Sequence, residues 1–228
     1  NTEKALALLT ESHGLAQQSG DDLLLCDGLN LASWIMQVRR DYRAGLAYAL
    51  EEMEVVKRLN RPEKLLYAHG NCAMCYTHLG DHAQGLELLF GVLPMTEALD
   101  DKEYRGYVLG CIFLVYDVMG AHEHSLVYGE EALSIHRQTG AVLNQIIVLH
   151  NCAGVFSQLG QHEKAISYNL EAIRLATENG QHDEMLWGLR GALADSYRNV
   201  KEFDKARSLF QEVISAQGEL ADVSTLMG

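Results

Sequence analysis

A small residue followed by an apolar one returns every forty residues, at Ala5-Leu6, Gly45-Leu46, Gly85-Leu86, Ser125-Leu126 and Ala165-Ile166. It returns once more after forty-one, at Ala206-Arg207. A fixed period of this length marks an architecture in which each unit buries its apolar face only against its neighbours. A chain of 228 residues could otherwise form one domain or two. The period predicts a single all-α solenoid over residues 1–228, and an extended surface suited to binding.

Within one period the apolar spacing is helical, and it is interrupted twice. Leu66, Ala68, Cys72, Ala73, Cys75, Tyr76 and Leu79 fall on one helix face, and Gly80-Asp81 breaks the run. A second run follows at Leu86, Leu88, Leu89, Val92, Leu93 and Met95. The short break recurs at Arg40-Asp41, Gly120-Ala121, Gly160-Gln161 and Lys201-Glu202, so each unit is an antiparallel helical hairpin. A second break, at Gly20, Asn60, Asp100, Gly140 and Gly180, uses residues that tolerate the left-handed conformation ending a helix.

The expected helices are 22–38 and 42–58, 62–79 and 82–98, 102–119 and 122–138, 142–159 and 162–178, 182–199 and 202–217. The hairpins then span 21–60, 61–100, 101–140, 141–180 and 181–218. Residues 1–20 read as a lone second helix and 219–228 as the start of a truncated repeat, so the chain reads as a piece of a longer protein. Pro62 falls in the first turn of its helix, where a missing N–H is harmless. Pro94, late in a second helix, is expected to kink or end it early.

Composition narrows the function classes. The formal net charge of −13 repels phosphates and no basic run offsets it, which argues against nucleic-acid binding. No run approaches the roughly 18 apolar residues of a membrane span, so no membrane insertion is expected. The five cysteines sit inside apolar helical patterns, as reduced packing residues of a cytoplasmic protein do.

The residues also resemble a known family. "NCAMCYTHLGDHAQGLELL" and "NCAGVFSQLGQHEKAISYNLEAI" resemble the tetratricopeptide repeat (TPR), in the slots Ala73-Tyr76-Gly80-His82-Gly85 and Ala153-Phe156-Gly160-His162-Ala165. The last unit supplies Ala194-Tyr197-Phe203-Ala206-Phe210. The forty-residue period resembles the long repeats of kinesin light chains and of bacterial signalling regulators. Departures are Arg40, Val200 and Lys201 in the turn, and Glu52 where alanine is usual.

That resemblance implies a right-handed TPR-like superhelix whose first helices line a concave face. Repeat phase then places Asn30, Trp34 and Gln37 on it, followed by Gly70, Asn71, Met74 and His78. Next come Tyr107, Gly110, Leu114 and Asp117, then His150, Asn151, Gly154 and Gln158, and finally Gly191, Asp195 and Arg198. Asn71 and Asn151 occupy the slot that, in related peptide binders, hydrogen-bonds a peptide backbone, a task suited to an amide that both donates and accepts. The cations of the chaperone-tail carboxylate clamp are missing from this face. Gly70, Gly106, Gly110, Gly154, Gly188 and Gly191 lie inside first helices, each at a cost of roughly 0.5–1 kcal/mol, so either close packing or an opened groove must compensate.

Tempting chemistry dissolves in the same register. His82, His122 and His162 share one repeat slot with Tyr42 and Phe203, which spaces them a repeat apart, too far to share a metal. The Cys72-Ala73-Met74-Cys75 pair sits mid-helix with no second pair, and no phosphate-binding glycine loop occurs. No catalytic residue, metal site or cofactor is expected. The expected partners are a protein or peptide ligand, with a homodimer as a further state. The alternative reading is a sensory, regulatory and dimerisation region of a bacterial signalling protein such as a diguanylate cyclase or a transcription regulator.

Overall fold

In a computed structural model, residues 14–16, 20–59 and 61–226 are described, and every regular element among them is an α-helix. The lone helix expected over residues 1–20 lies mostly outside the described residues; 14–16 are helical. The helices are α1 (Asp22–Val38), α2 (Tyr42–Leu59), α3 (Pro62–His78), α4 (His82–Ala98) and α5 (Lys102–Val118). They continue as α6 (His122–Thr139), α7 (Val142–Gln158), α8 (His162–Glu178), α9 (Asp183–Asn199) and α10 (Phe203–Leu226). The chain divides into two compact units, Asn1–Ala121 and His122–Gly228.

The breaks are left-handed. Gly80, Gly120 and Gly160 have φ of 91°, 74° and 72° at the hairpin turns, and Gly20, Gly140 and Gly180 have 69°, 72° and 62° between hairpins. Asn60 lies outside the described residues. At Gly80 the turn closes with Gly80 N–H donating to Thr77 O (3.1 Å) and Asp81 N–H to Tyr76 O (2.9 Å), satisfying carbonyls the ending helix would leave free. The same pair of bonds forms at Arg40 (φ 62°) and Lys201 (φ 65°), where a side chain accepts the strain that glycine avoids elsewhere. The Asp81 side chain then caps α4 by accepting from Gln84 N–H at 3.2 Å.

In the first unit each helix packs on the next in sequence, and α1 also touches α3, as α3 touches α5. No such contact joins α2 to α4 among the described residues. One side of this unit is therefore built from first helices set close together. Its core is Leu29, Leu66, Ala73, Leu89, Leu109, Ile112 and Phe113, all fully buried or nearly so. The second unit repeats the plan: α6 to α10 pack in sequence, α7 touches α9, and the core holds Ile146, Leu149, Ala153, Phe156, Ala172 and Leu193.

The forty-residue mark has a steric cause. A Cβ on Gly85 would stand 2.7 Å from Thr77 Oγ1 and 3.0 Å from the Ala73 carbonyl oxygen. On Gly45 it would meet Cys75 Sγ at 3.1 Å and Ser33 O at 3.3 Å. The second helix thus crosses the first at the small residue, where Ser33 Oγ also donates to Gly45 O at 2.9 Å.

Two expectations change. Pro94 does not end α4, which runs on to Ala98 because proline forfeits one backbone bond while the packed apolar side holds the helix. No break occurs near residue 217 either: α10 runs through Gly218 to Leu226, so 219–226 extend the last helix instead of opening another. A lone glycine followed by Glu219, Leu220 and Ala221, with no proline, costs too little to stop a helix.

Candidate binding surface

In the first unit the exposed side of the first helices carries Trp34 and Val38 from α1, Tyr67, Met74 and His78 from α3, and Leu114 from α5. Trp34 and His78 are exposed; Met74, Tyr107, Leu114 and Asp117 are half-buried. His78 stacks on Tyr42, the ring centres 4.3 Å apart and 14° from parallel. Partial burial, and after it the Arg40 charge, lower the His78 pKa and favour the neutral ring.

The polar residues predicted for this side turn inward. Asn30 donates to Glu52 Oε1 at 3.1 Å, and Gln37 donates to Asn71 Oδ1 at 3.3 Å and to Ser33 Oγ at 3.4 Å. Asn71 is buried, and its side chain lies close enough to Glu52 to act on that carboxyl. The structure thus gathers Asn30, Gln37 and Asn71 around a residue that sequence reasoning noted only as a departure. Glu52 projects from α2, fully buried, with Oε2 meeting no hydrogen bond of good geometry. Burial raises its pKa to about 7, against the hydrogen bonds of Asn30 and Asn71, which pull it down. The signal in the sequence was a carboxylate in an alanine slot.

Beside this cluster Tyr67, Tyr104 and Tyr107 pack ring on ring, Tyr67 and Tyr104 edge-on at 4.7 Å and Tyr104 and Tyr107 at 5.3 Å. Gly70 makes room for them: a Cβ there would come within 2.9 Å of Tyr107 Cε1 and 3.1 Å of its hydroxyl. The Cys111 thiol and burial together hold the Tyr107 hydroxyl far above its usual pKa, while burial pushes Cys111 itself to about 12. The five cysteines are free and buried, and burial raises the pKa of Cys26, Cys72 and Cys75 as well, so they behave as packing residues.

In the second unit α7 offers Ile147, Gly154 and Gln158 to solvent and leaves His150 and Asn151 half-buried. His150 Nδ1 is buried with no partner. On α9, Arg198 is exposed and pairs with Asp195 at 2.8 Å, and Asn199 donates to Ser157 Oγ on α7 at 3.4 Å. The glycines here differ from Gly70. A Cβ on Gly154, Gly188 or Gly191, or on Gly110 in the first unit, would find nothing within 4 Å. Close packing explains Gly70 and leaves these four without a neighbour. Among the described residues no three His, Cys, Asp or Glu side chains converge as metal ligands would, and no helix is long and apolar enough to cross a membrane.

No family model matches the chain. Among curated proteins it is similar to the photosystem I assembly protein Ycf3 of Synechococcus elongatus, 28% identical over 128 residues, 53% of this chain and 72% of that one. Among solved structures it resembles BtubC (BKLC) from P. vanneervenii, with a TM-score of 0.80 at 16% identity over 97% of this chain and 92% of that one. The TPR-like repeats of a Podospora anserina putative kinesin light chain superpose with a TM-score of 0.69 at 15% identity, covering 86% and 96%. NprR, solved with its cognate peptide NprX, gives 0.69 at 17% identity, covering 94% of this chain and 62% of NprR. The stacked hairpins, their left-handed turns and these likenesses agree: the chain is an all-helical TPR-like repeat protein with the superhelical fold seen in kinesin light chain repeats and in NprR.

Proposed function

We propose that this chain recognises a protein or peptide on the exposed side of its first helices. The observation that carries the reading is the set of open helix-interior glycines. Gly110, Gly154, Gly188 and Gly191 each weaken a helix, and no neighbouring atom uses the space they leave. A ligand lying against the helices would use it. Beside them stand half-buried or exposed side chains able to contact such a ligand: Met74 and Leu114 in the first unit, and Ile147, His150, Asn151 and Gln158 in the second. TPR-type repeat domains are generally protein- or peptide-binding modules and typically non-catalytic, and the fold shared with peptide-bound NprR supports an extended peptide as the ligand. Of the two amides assigned to a peptide backbone, Asn151 is the better placed, since the Asn71 carbonyl already accepts from Gln37.

The test is selection from a random-peptide display library on the intact protein, followed by affinity measurement on a selected sequence by fluorescence anisotropy. Gly154→Leu fills the open space and Asn151→Ala removes the amide. Each is expected to weaken binding at least about tenfold while leaving helicity unchanged. Selected peptides that bind both variants as well as the wild type would remove this face as the site. A regulatory role within a signalling protein is the second reading; its support is the likeness to NprR, whose own structure holds a peptide.

A further inference from the structure

A chain of hydrogen bonds starts at the backbone of α2 and returns to the same helix at Glu52, and each donor in it fixes the next. Ser33 Oγ donates its one hydrogen to Gly45 O at 2.9 Å, so toward Gln37 it can only accept. Gln37 Nε2 therefore faces it, at 3.4 Å, and gives its other hydrogen to Asn71 Oδ1 at 3.3 Å. With its carbonyl so occupied, Asn71 turns its amide nitrogen from α3 to the Glu52 carboxyl, which Asn30 reaches from α1. An ionised carboxyl, which only accepts, is the end that such a chain requires.

A protonated carboxyl reverses that end. Asn30 holds Oε1, so the proton falls on Oε2, which is buried and has no acceptor of good geometry. We propose that Asn71 and Gln37 form a relay: a proton on Glu52 turns both amides over, so that Asn71 presents its carbonyl to the acid and Gln37 presents N–H instead of C=O at the edge of the first-helix face. The turn gives up the long Gln37–Ser33 bond and satisfies a buried hydroxyl. Gln37 is half-buried, so its outer atom is within reach of a ligand. As a regulator of the peptide surface the relay rests on that reading; its own motion does not. Cys26 and Asp27 face Glu52 from α1, Lys64 and Cys72 from α3, and Tyr104 and Tyr107 from α5. Burial pushes the two thiols up to about 11 and 12, and both tyrosine hydroxyls are held well above their ordinary value, so these four stay protonated near neutral pH. Asp27 and Lys64 are paired with each other at 2.5 Å. Burial sets the Glu52 carboxyl itself at about 7.

The test is nitrogen-15 NMR of the side-chain amides of the 228-residue chain, with the signals assigned by their loss in Gln37→Met, Asn71→Ser and Asn30→Ser. The Gln37 and Asn71 signals are expected to move together between about pH 5 and 8, on one curve centred at the Glu52 value. Glu52→Gln, whose amide donates at every pH as the protonated acid does, should hold both signals at their low-pH positions. Ser33→Ala removes the acceptor that favours the high-pH arrangement and should raise the midpoint. A titration that survives in Glu52→Gln belongs to another group, His78 first among them, and overturns the relay. So do signals that stay flat, a response confined to Asn30, or an unchanged midpoint in Ser33→Ala. The coupled titration in a chain that captures no peptide keeps the relay and discards only the peptide reading.

Discussion

Glu52 is the residue on which this fold departs furthest from its own pattern. Its forty-residue equivalents are Val92, Ala132 and Ala172, all buried and uncharged. Burial lifts its pKa from the ordinary 4.5 to about 7, so between those values the folded chain holds a proton that the unfolded chain has released. The sign follows by linkage: stability falls as pH rises through that window and is flat above it. The loss should amount to roughly 3 kcal/mol. His78, whose pKa is lowered, acts in the opposite sense, so the comparison is made between variants. Glu52→Gln is expected to denature at higher urea concentration than the wild type at pH 8, with the gap closing at pH 5; a gap independent of pH would deny that the carboxyl titrates there. None of this was legible from repeat phase, which places Asn30, Gln37 and Asn71 on one helix side but does not say what fills the space behind them. The acid on α2 engages Asn30 and Asn71, and Gln37 joins them through the Asn71 carbonyl.

At the scale of the element, the helix bounds that the breaks predict lie within one residue of those of α1 to α9. Glycine, asparagine or aspartate at most of the breaks is a local property, and the left-handed backbone it allows is what ends the helix. Arg40 and Lys201 show that position outranks residue type, since both adopt the same conformation with a side chain. The end of α10 was misjudged because Gly218 marks a break only where tertiary packing agrees with it. The glycines divide by what surrounds them, and this yields a paired prediction. Gly85→Ala should destabilise the chain by about 1–3 kcal/mol through contact with Thr77 and the Ala73 carbonyl. Gly154→Ala should stabilise it by about 0.5–1 kcal/mol, because its new methyl meets nothing. Urea denaturation reads both, and equal signs would contradict the crossing geometry.

For the molecule as a whole, the period named the architecture because stacking repeats have few ways to bury their faces. It also sorted histidines and cysteines into packing slots, which their burial supports for the cysteines. It could not name a ligand, because one repeat fold serves many different partners. Nearest-neighbour packing has a measurable result. Leu66, fully buried on α3, contributes to a helix that touches only α1, α2, α4 and α5 among the described helices. Leu66→Ala should cost about 2–5 kcal/mol. Its effect on hydrogen exchange should concentrate in α1 to α5, with α8 keeping its protection; uniform loss along the chain would mean the units unfold as one.

The buried carboxylate of Glu52 also bears on how near-copies find their proper order. Hairpins this similar could stack out of sequence, within one chain or between two. Glu52 uses the amide of Asn30 in its own hairpin and that of Asn71 in the next, and a neighbour shifted by one repeat would present Cys111 in place of Asn71. The buried acid would then lose one of its two amide donors, a cost of about 1–3 kcal/mol that apolar side chains would not impose. One acid in an alanine slot thus acts as an address, making the first junction different from every other.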